Sequence, residues 1–425
     1  MGRGRLLTGR TVVQVAFPGS ALNGMTAWLL AELGARVIKV EPVDGTDVVR
    51  NHPIRQGSES VLHLTFDRHK ESVALDLRDD QGQRAFCALA QHADAVIEGF
   101  RPGVADRLGI GYHDLSAVNP RITYVAMSGF GGGNRFSQQP AHDLNFQALA
   151  GLLSLDWPGP KGPPAVPAAD LISVCLAALG AVAGMLRADA TGRGAEVGST
   201  VFDGALFSAV LPLAFQLNSP VPVTPERYML VAASALYGLY ECSDGGYVAL
   251  TAVTPRFWSA FCLAAGFATE LDPFDPEAQA TLRAALADHL LTAPRDEWIA
   301  RVEGHEACLY PALSPAEVIE HEAVRGTDRI SAVRHPDGSV AEVPAFPLRI
   351  APAAQEASDD QLPTVPRLGQ HTRSILSEIG LESEHIEQLF ARGAAAEPGT
   401  TELPAGPSSA VRATSGDPHS RGVTR

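Results

Sequence analysis

The chain has 425 residues, 45% of them hydrophobic, enough for more than one domain and a large buried core. Its net charge of -15 argues against a non-specific nucleic-acid binder, so no nucleic-acid partner is expected. Cys87, Cys175, Cys242, Cys262 and Cys308 are scattered, with no CxxC pair and no metal-ligand spacing, which excludes a redox or zinc motif and fits a reducing cytoplasm.

The basic N-terminus is followed by an apolar run, 12 to 17, too short for a signal-peptide core and closed by Pro18-Gly19. Residues 1 to 110 carry as many basic as acidic side chains, so the negative excess lies after 110. A polyanionic small ligand meets its least repulsive surface on the N-terminal segment. Val12-Val-Gln-Val-Ala16 reads as a buried strand, Ala21 to Leu33 as a helix ended by Gly34, and Arg36-Val-Ile-Lys-Val40 as the next strand, a βαβ unit. The pattern continues with strand 72 to 77, helix 79 to 91, and strands 94 to 98 and 121 to 127, which predicts an α/β protein with a parallel sheet. Glu41 lies where a nicotinamide-dinucleotide fold places its ribose-binding acid. The glycine fingerprint fails, because Phe17-Pro-Gly-Ser20 supplies one Gly where three are needed, and a dehydrogenase is set aside.

His142, in Pro140-Ala-His-Asp-Leu-Asn-Phe146, and Asp170, in Val166-Pro-Ala-Ala-Asp170, each stand at the expected start of a long apolar helix. An imidazole and a carboxylate at two helix N-termini, where unpaired backbone N–H groups favour negative charge, are suited to proton transfer at a carbon acid whose enolate needs stabilising. The helix-end field disfavours imidazolium and keeps His142 available as a base, while Asp170 must be transiently protonated. Asp143 and Asp170 read equally well as N-caps of helices running from 144 and 171. The apolar stretch 171 to 187, rich in Ala and Gly, reads as a buried helix rather than a membrane span.

A strand is expected at 195 to 201 and a linking helix over 201 to 224. From 225 the texture changes to a smaller α+β domain: a hairpin from Leu236 to Leu250 around Ser243-Asp-Gly-Gly246, then helices near 256 to 265, 276 to 291, 294 to 302 and 314 to 322. Residues 327 to 350 read as strands around Pro336-Asp-Gly338, and 368 to 394 as a turn with two short helices. From 395 the composition is that of a disordered tail.

Several separated strings resemble the class III CoA-transferase (CaiB/BaiF) family, which includes the 2-methylacyl-CoA racemases. They are Leu29-Leu-Ala-Glu-Leu-Gly-Ala-Arg-Val-Ile-Lys-Val-Glu-Pro42, Ser72-Val-Ala-Leu-Asp-Leu77, Ile97-Glu-Gly-Phe-Arg-Pro-Gly-Val104 with Arg107-Leu-Gly109, Pro120-Arg-Ile-Thr-Tyr124 with Ser128-Gly-Phe-Gly131, Thr191-Gly-Arg-Gly194, Ala307-Cys-Leu-Tyr-Pro311, and Leu368-Gly-Gln-His-Thr372 with Ile375-Leu-Ser-Glu-Ile-Gly380. The resemblance implies a Rossmann-like large domain built from 1 to 200 and 326 to 394, a small domain from 225 to 325, and an interlocked homodimer. It also implies an acyl-CoA thioester substrate. By position Leu75, Asp76, Leu77, Arg78, Gly99, Phe100, Arg101 and Arg107 line the CoA moiety, the last two arginines balancing phosphates. Ala141, Asp143, Phe146 and Ala169 lie beside the reacting centre.

The racemase branch carries a His-Asp pair like His142-Asp143, its imidazole and later carboxylate serving opposite faces of the α-carbon. The transferase branch resembles the chain around Asp170, which there acts as a nucleophile through an acyl-enzyme anhydride. His142 favours a racemase or epimerase at C2 of an acyl-CoA, with a CoA-transferase as the alternative and a non-catalytic acyl-CoA binder as the third reading. None of these needs a resident cofactor or a membrane. The chain departs from the racemase pattern where a Glu before Pro255 is Thr254, a Gly-Gly pair is Ala232-Ala233, an Asn is Val166 and an Arg is Pro42, which implies a remodelled acyl site. Glu241, in the expected hairpin, reads as ordinary surface.

Overall fold

The computed structural model describes residues 6–17, 19–155, 162–231, 233–350 and 362–399. Its main sheet contains six parallel strands, β1 (Thr11–Val15), β2 (Arg36–Glu41), β3 (Lys70–Leu75), β4 (Ala95–Glu98), β5 (Thr123–Ser128) and β6 (Ala195–Thr200), in the spatial order β3-β2-β1-β4-β5-β6. This α/β arrangement follows from strands that are apolar on both faces. Successive side chains point to opposite sides, so Val13, Val15, Ile38 and Val40 enter a core with Phe86, Leu89 and Leu376. Val12 and Val37 meet Leu30, Ala177 and Met185 on the other face.

The first helix, α1 (Leu22–Glu32), returns the chain from β1 to β2. The segment after β5 carries α2 (Asp143–Leu149) and α3 (Ala168–Thr191), followed past β6 by α4 (Val201–Ser208) and α5 (Val210–Asn218). The expected linking helix over 201 to 224 is therefore two helices, bent by 65° at Ala209. Nor is α2 long, since it ends after seven residues.

α3 has the length and apolarity to cross a membrane, but one stripe of it is buried on the sheet. Gly180 and Gly184, one turn apart, make that approach possible. A Cβ at Gly184 would stand 2.3 Å from the Thr123 side chain, and one at Gly180 would stand 2.5 Å from Val197. Gly184→Ala gains about 1 kcal/mol of helix propensity but overpacks the interface by about 1–3 kcal/mol. The expected result is a net loss, seen as a lower urea midpoint with an unchanged slope.

Residues 235–309 close a separate apolar cluster around Trp298, Phe261 and Leu286. It packs on an antiparallel sheet of β7 (Tyr237–Glu241), β8 (Tyr247–Thr251) and β9 (Leu309–Ala312), in the order β9-β8-β7. A second hairpin pairs β10 (Ile330–Arg334) with β11 (Val340–Pro344). The chain then returns to the main sheet, where β12 (Ala395–Ala396) pairs antiparallel with β3. The expected tail boundary at 395 is thus too early, because both alanines are buried sheet residues. Residues 400–425 lie outside the described residues.

A buried ionic network joins these segments. Lys39 Nζ lies 2.6 Å from both Asp47 and Asp67 and 3.1 Å from Glu41, while Lys70 donates to Asp67 at 3.0 Å and to Gln14 at 2.8 Å. Arg50 pairs with Glu41 at 2.8 Å and donates to the Pro366 carbonyl at 3.2 Å. Burial alone would push the Glu41 carboxyl up, but Arg50 and Lys39 outweigh it and hold it at about 2. The position that a dinucleotide fold gives to ribose recognition is here an interior ion pair. His63, buried and facing Arg50, is pushed down from its ordinary value, and its Nδ1 contacts Asp67 at 2.7 Å. Three cations, Lys39, Lys70 and Arg50, and three carboxylates, Glu41, Asp47 and Asp67, thus converge on the strand ends with their charges paired, the condition under which buried charge is tolerated.

Candidate active site

In the order β3-β2-β1-β4-β5-β6 the chain reverses direction of growth between β1 and β4, and open parallel sheets bind ligands outside the carboxyl ends of the strands at such a switch point. Two loops meet there. Phe17, after β1, packs against Phe100, after β4, with ring centroids 5.1 Å apart. A Cβ at Gly99 would come within 2.9 Å of the Phe17 ring, so glycine is needed for the loops to touch. Glu98, the last residue of β4, is buried and accepts the Phe100 N–H at 2.6 Å, which fixes the turn. Burial pushes its carboxyl up to about 7.

The residues expected around CoA occupy this edge of the sheet. Leu75 is buried at the end of β3, and Leu77 is half-buried in the turn that follows. Asp76 accepts from the Arg78 backbone N–H at 3.0 Å and from its Nε at 2.9 Å, which draws the carboxyl down and leaves the guanidinium exposed. Arg101 and Arg107 are exposed beyond β4.

The stretch after β5 brings the two ionisable candidates together. His142 is the N-cap of α2, its backbone N–H donating to Asn145 Oδ1 at 3.0 Å. Asp143 is the first helical residue and reaches across to α3, where its Oδ1 accepts the Asp170 N–H at 3.1 Å. Its Oδ2 accepts from Gln147 Nε2 at 2.5 Å, and Gln147 also donates to the Val166 carbonyl at 3.2 Å. Neither aspartate is an N-cap, as the capping alternative required. Pro167 precedes α3, which starts at Ala168 rather than 171, and Asp170 sits in its first turn. Asp143 and Gln147 therefore tie two helix N-termini together, and a carboxylate accepting N–H bonds there is favoured by the field of both.

Asp170 is half-buried. Burial first, and then the like charge of Asp143, pushes its carboxyl up to about 6, while His142 acts in the opposite sense and so lies within electrostatic reach. Phe146 and Ala169, expected beside the substrate, are buried in one cluster with Val201 and Ala205, and their side chains hold α2, α3 and α4 in register. Ala141 is half-buried against the same cluster.

Sequence reasoning passed over Gln147, although its spacing of one turn from Asp143 was a usable signal. It also missed a cavity of about 480 Å³ beside His142, walled by Phe130, Phe136, Pro140, Ala141, Asn145 and Leu149. Thr254 is the N-cap of helix Pro255–Ala265, Ala233 is half-buried, Glu241 is exposed on β7, and Ala232 lies outside the described residues. Among the described residues no group of three or more His, Cys, Asp or Glu side chains is arranged to hold a metal ion.

Residues 7–372 match the sequence model of the family described as CoA-transferase family III. The chain is 28% identical over 389 residues to human (Homo sapiens) alpha-methylacyl-CoA racemase, an alignment that covers 90% of this chain and 96% of that protein. It is 31% identical over 315 residues to acetyl-CoA:oxalate CoA-transferase of Acetobacter aceti, covering 70% of this chain and 78% of that one. Among solved structures, a CaiB/BaiF family protein from Brucella suis superposes with a TM-score of 0.73 at 22% identity, over 88% of this chain and 99% of the other.

Proposed function

The chain belongs to CoA-transferase family III, and on that premise we propose that it is a racemase or epimerase acting at C2 of a 2-methylacyl-CoA-like thioester. The carrying observation is Asp170, a half-buried carboxyl near the start of α3 that feels both Asp143 and His142 and sits at about 6. A carboxyl poised there exchanges its proton near neutral pH, which is what a group must do to return a proton to a carbanion.

In this reading the thioester carbonyl acidifies the α-proton, and His142 or Asp170 removes it, depending on which face the proton occupies. The enolate oxygen is held by unpaired N–H groups at the helix starts, and the other partner delivers a proton from the opposite side. One proton shared by the pair serves both directions: imidazole with carboxylic acid for one isomer, imidazolium with carboxylate for the other. Only a proton moves, so the reaction calls for no resident cofactor. CoA lies along the carboxyl edge of the sheet, with Leu75, Asp76, Leu77, Arg78, Gly99 and Phe100 lining it and Arg101 and Arg107 facing its phosphates. The large CoA-binding part comprises 1–200 and 326–394, the smaller part 225–325. Five free cysteines suit work in a reducing, cytoplasmic compartment.

The working unit in this reading is a homodimer. Leu179, Leu186 and Leu217, on α3 and α5, are 65%, 63% and 84% exposed, a run of apolar surface that a partner subunit would cover.

The 31% identity to an oxalate CoA-transferase supports a second reading, with Asp170 as nucleophile. Deuterated water separates the two. The racemase incorporates deuterium at C2 of a 2-methylacyl-CoA without passing CoA to a free acid. His142→Ala abolishes inversion, by about 10²- to 10⁴-fold as expected for loss of a general base, and retains exchange of the proton that faces Asp170. An Asp170 adduct trapped by hydroxylamine, with no C2 exchange, would establish the transferase instead.

A further inference from the structure

Resting on the acyl-CoA reading, we propose that the cavity beside His142 is the acyl subsite, and that it selects an acyl chain with an apolar body and an anionic far end, recognised by Arg135. The cavity measures about 480 Å³ and opens to solvent past the exposed Phe136, Pro140 and Leu149. With Gln139 and Asn145 as polar neighbours, Phe130, Phe136, Pro140, Ala141 and Leu149 form its apolar walls. They are also stiff, because Phe130 stacks on Phe136 at 5.4 Å, on Phe146 at 4.9 Å and on Phe202 at 5.6 Å, which roots the loop in the helix cluster. Pro140 and Ala141 run directly into His142, and Asn145, which also lines the space, accepts the His142 N–H. An acyl chain leaving an α-carbon held at His142 therefore has this cavity as its adjoining apolar surface.

Arg135 gives the cavity a chemical preference. Its guanidinium lies over the Phe136 ring at 4.6 Å and lines the cavity. Among the described residues it has no carboxylate partner, unlike Arg10, Arg36, Arg50, Arg68, Arg295, Arg325 and Arg373. On a chain of net charge -15, an exposed arginine held by an aromatic ring and left without a counter-charge offers a directed site for a terminal carboxylate. The apolar side chains between His142 and Arg135 let an acyl chain bury its methylenes before its far end meets the guanidinium.

The test is equilibrium binding, which needs no turnover. Dissociation constants are measured by calorimetry on the full chain for octanoyl-CoA, for its ω-carboxylated counterpart suberyl-CoA, and for free CoA as reference. Suberyl-CoA binds about tenfold more tightly than octanoyl-CoA, and Arg135→Gln brings it to the octanoyl-CoA level. Leu149→Trp, a change at a surface-exposed position, fills the cavity and weakens both acyl-CoAs toward the CoA value. Equal affinity for the two acyl-CoAs, or an Arg135→Gln loss shared equally by free CoA, overturns the proposal, the latter by placing Arg135 on the phosphates. Deuterium exchange at C2 of the 2-methyl homologues is scored separately. A binding preference without exchange sinks the racemase and leaves the acyl subsite standing.

Discussion

Asp170→Asn lowers acyl-CoA isomerisation about a thousandfold and at the same time stabilises the fold at neutral pH. The two effects share one cause. In the folded protein the carboxyl sits at about 6 because burial and Asp143 oppose its ionisation, whereas in the unfolded chain it titrates at its ordinary value of 3.8. A carboxyl raised on folding contributes stability that is complete below the unfolded value and is lost as pH rises through about 6. The wild type is therefore penalised above pH 6 and Asn is not, so the melting temperatures diverge with rising pH and converge below pH 4. Asn keeps the backbone N–H that bonds Asp143 and keeps the side-chain volume, so the gain is not a packing effect. Equal melting temperatures at pH 8, or undiminished isomerisation, would remove Asp170 from the reaction. In the wild type, kcat/KM for the isomer deprotonated by Asp170 rises as pH climbs through about 6, because that direction requires the carboxylate.

The second large effect is structural. Asp67→Asn removes the negative charge that Lys39 meets at 2.6 Å and Lys70 at 3.0 Å in a fully buried site. Breaking a buried pair on one side costs about 3–5 kcal/mol, a large part of the 5–15 kcal/mol by which domains are ordinarily stable. Lys39 retains Asp47 and Glu41, but Lys70 loses its ion pair with Asp67 and, among the described residues, keeps neutral acceptors in direct contact, Gln14 and the Gly24 carbonyl. Burial already pushes Lys70 below its ordinary value, so the variant sheds that proton and its stability recovers as pH rises. In the wild type Asp67 contributes a dependence of the same sign, but in an acidic window. Asp67 is held well below 3.8 by Lys39 and Lys70 in spite of burial, so its contribution is present above the unfolded value and is lost as pH falls through the folded one. Urea titrations of both proteins from pH 5 to 9 measure the difference, and parallel curves would contradict this account.

The parallel strands were legible because their residues are apolar on both faces, and short runs such as Val12 to Val15 admit few alternatives. β9 was not, since Leu309–Ala312 carries a proline, tolerated only because this strand lies at the sheet edge. β12 has two alanines and no pattern to read. The ionic network left a trace, Lys39 and Glu41 inside an otherwise apolar strand, which demands partners without saying which. Asp47, Arg50 and Asp67 come from turns that only tertiary packing brings near. At the site, His142 and Asp170 stood out as polar residues at two helix starts. The bond from Asp170 N–H to Asp143 runs between helices, and the cavity beside His142 depends on a loop, with Gly131, Gly132, Gly133 and Asn134, that carries no periodic pattern.

β12 makes the order of synthesis matter. The outer margin of the principal sheet is sealed by Ala395–Ala396, about three hundred residues after β3 has left the ribosome, and Arg50 and His63 wait as long for the Pro366 carbonyl. Until then the nascent protein carries a bare strand margin and an incompletely solvated knot of charge. Folding of its first half is thus coupled to translation of its last, and a ribosome stalled before codon 396 holds a species that chaperones must shield.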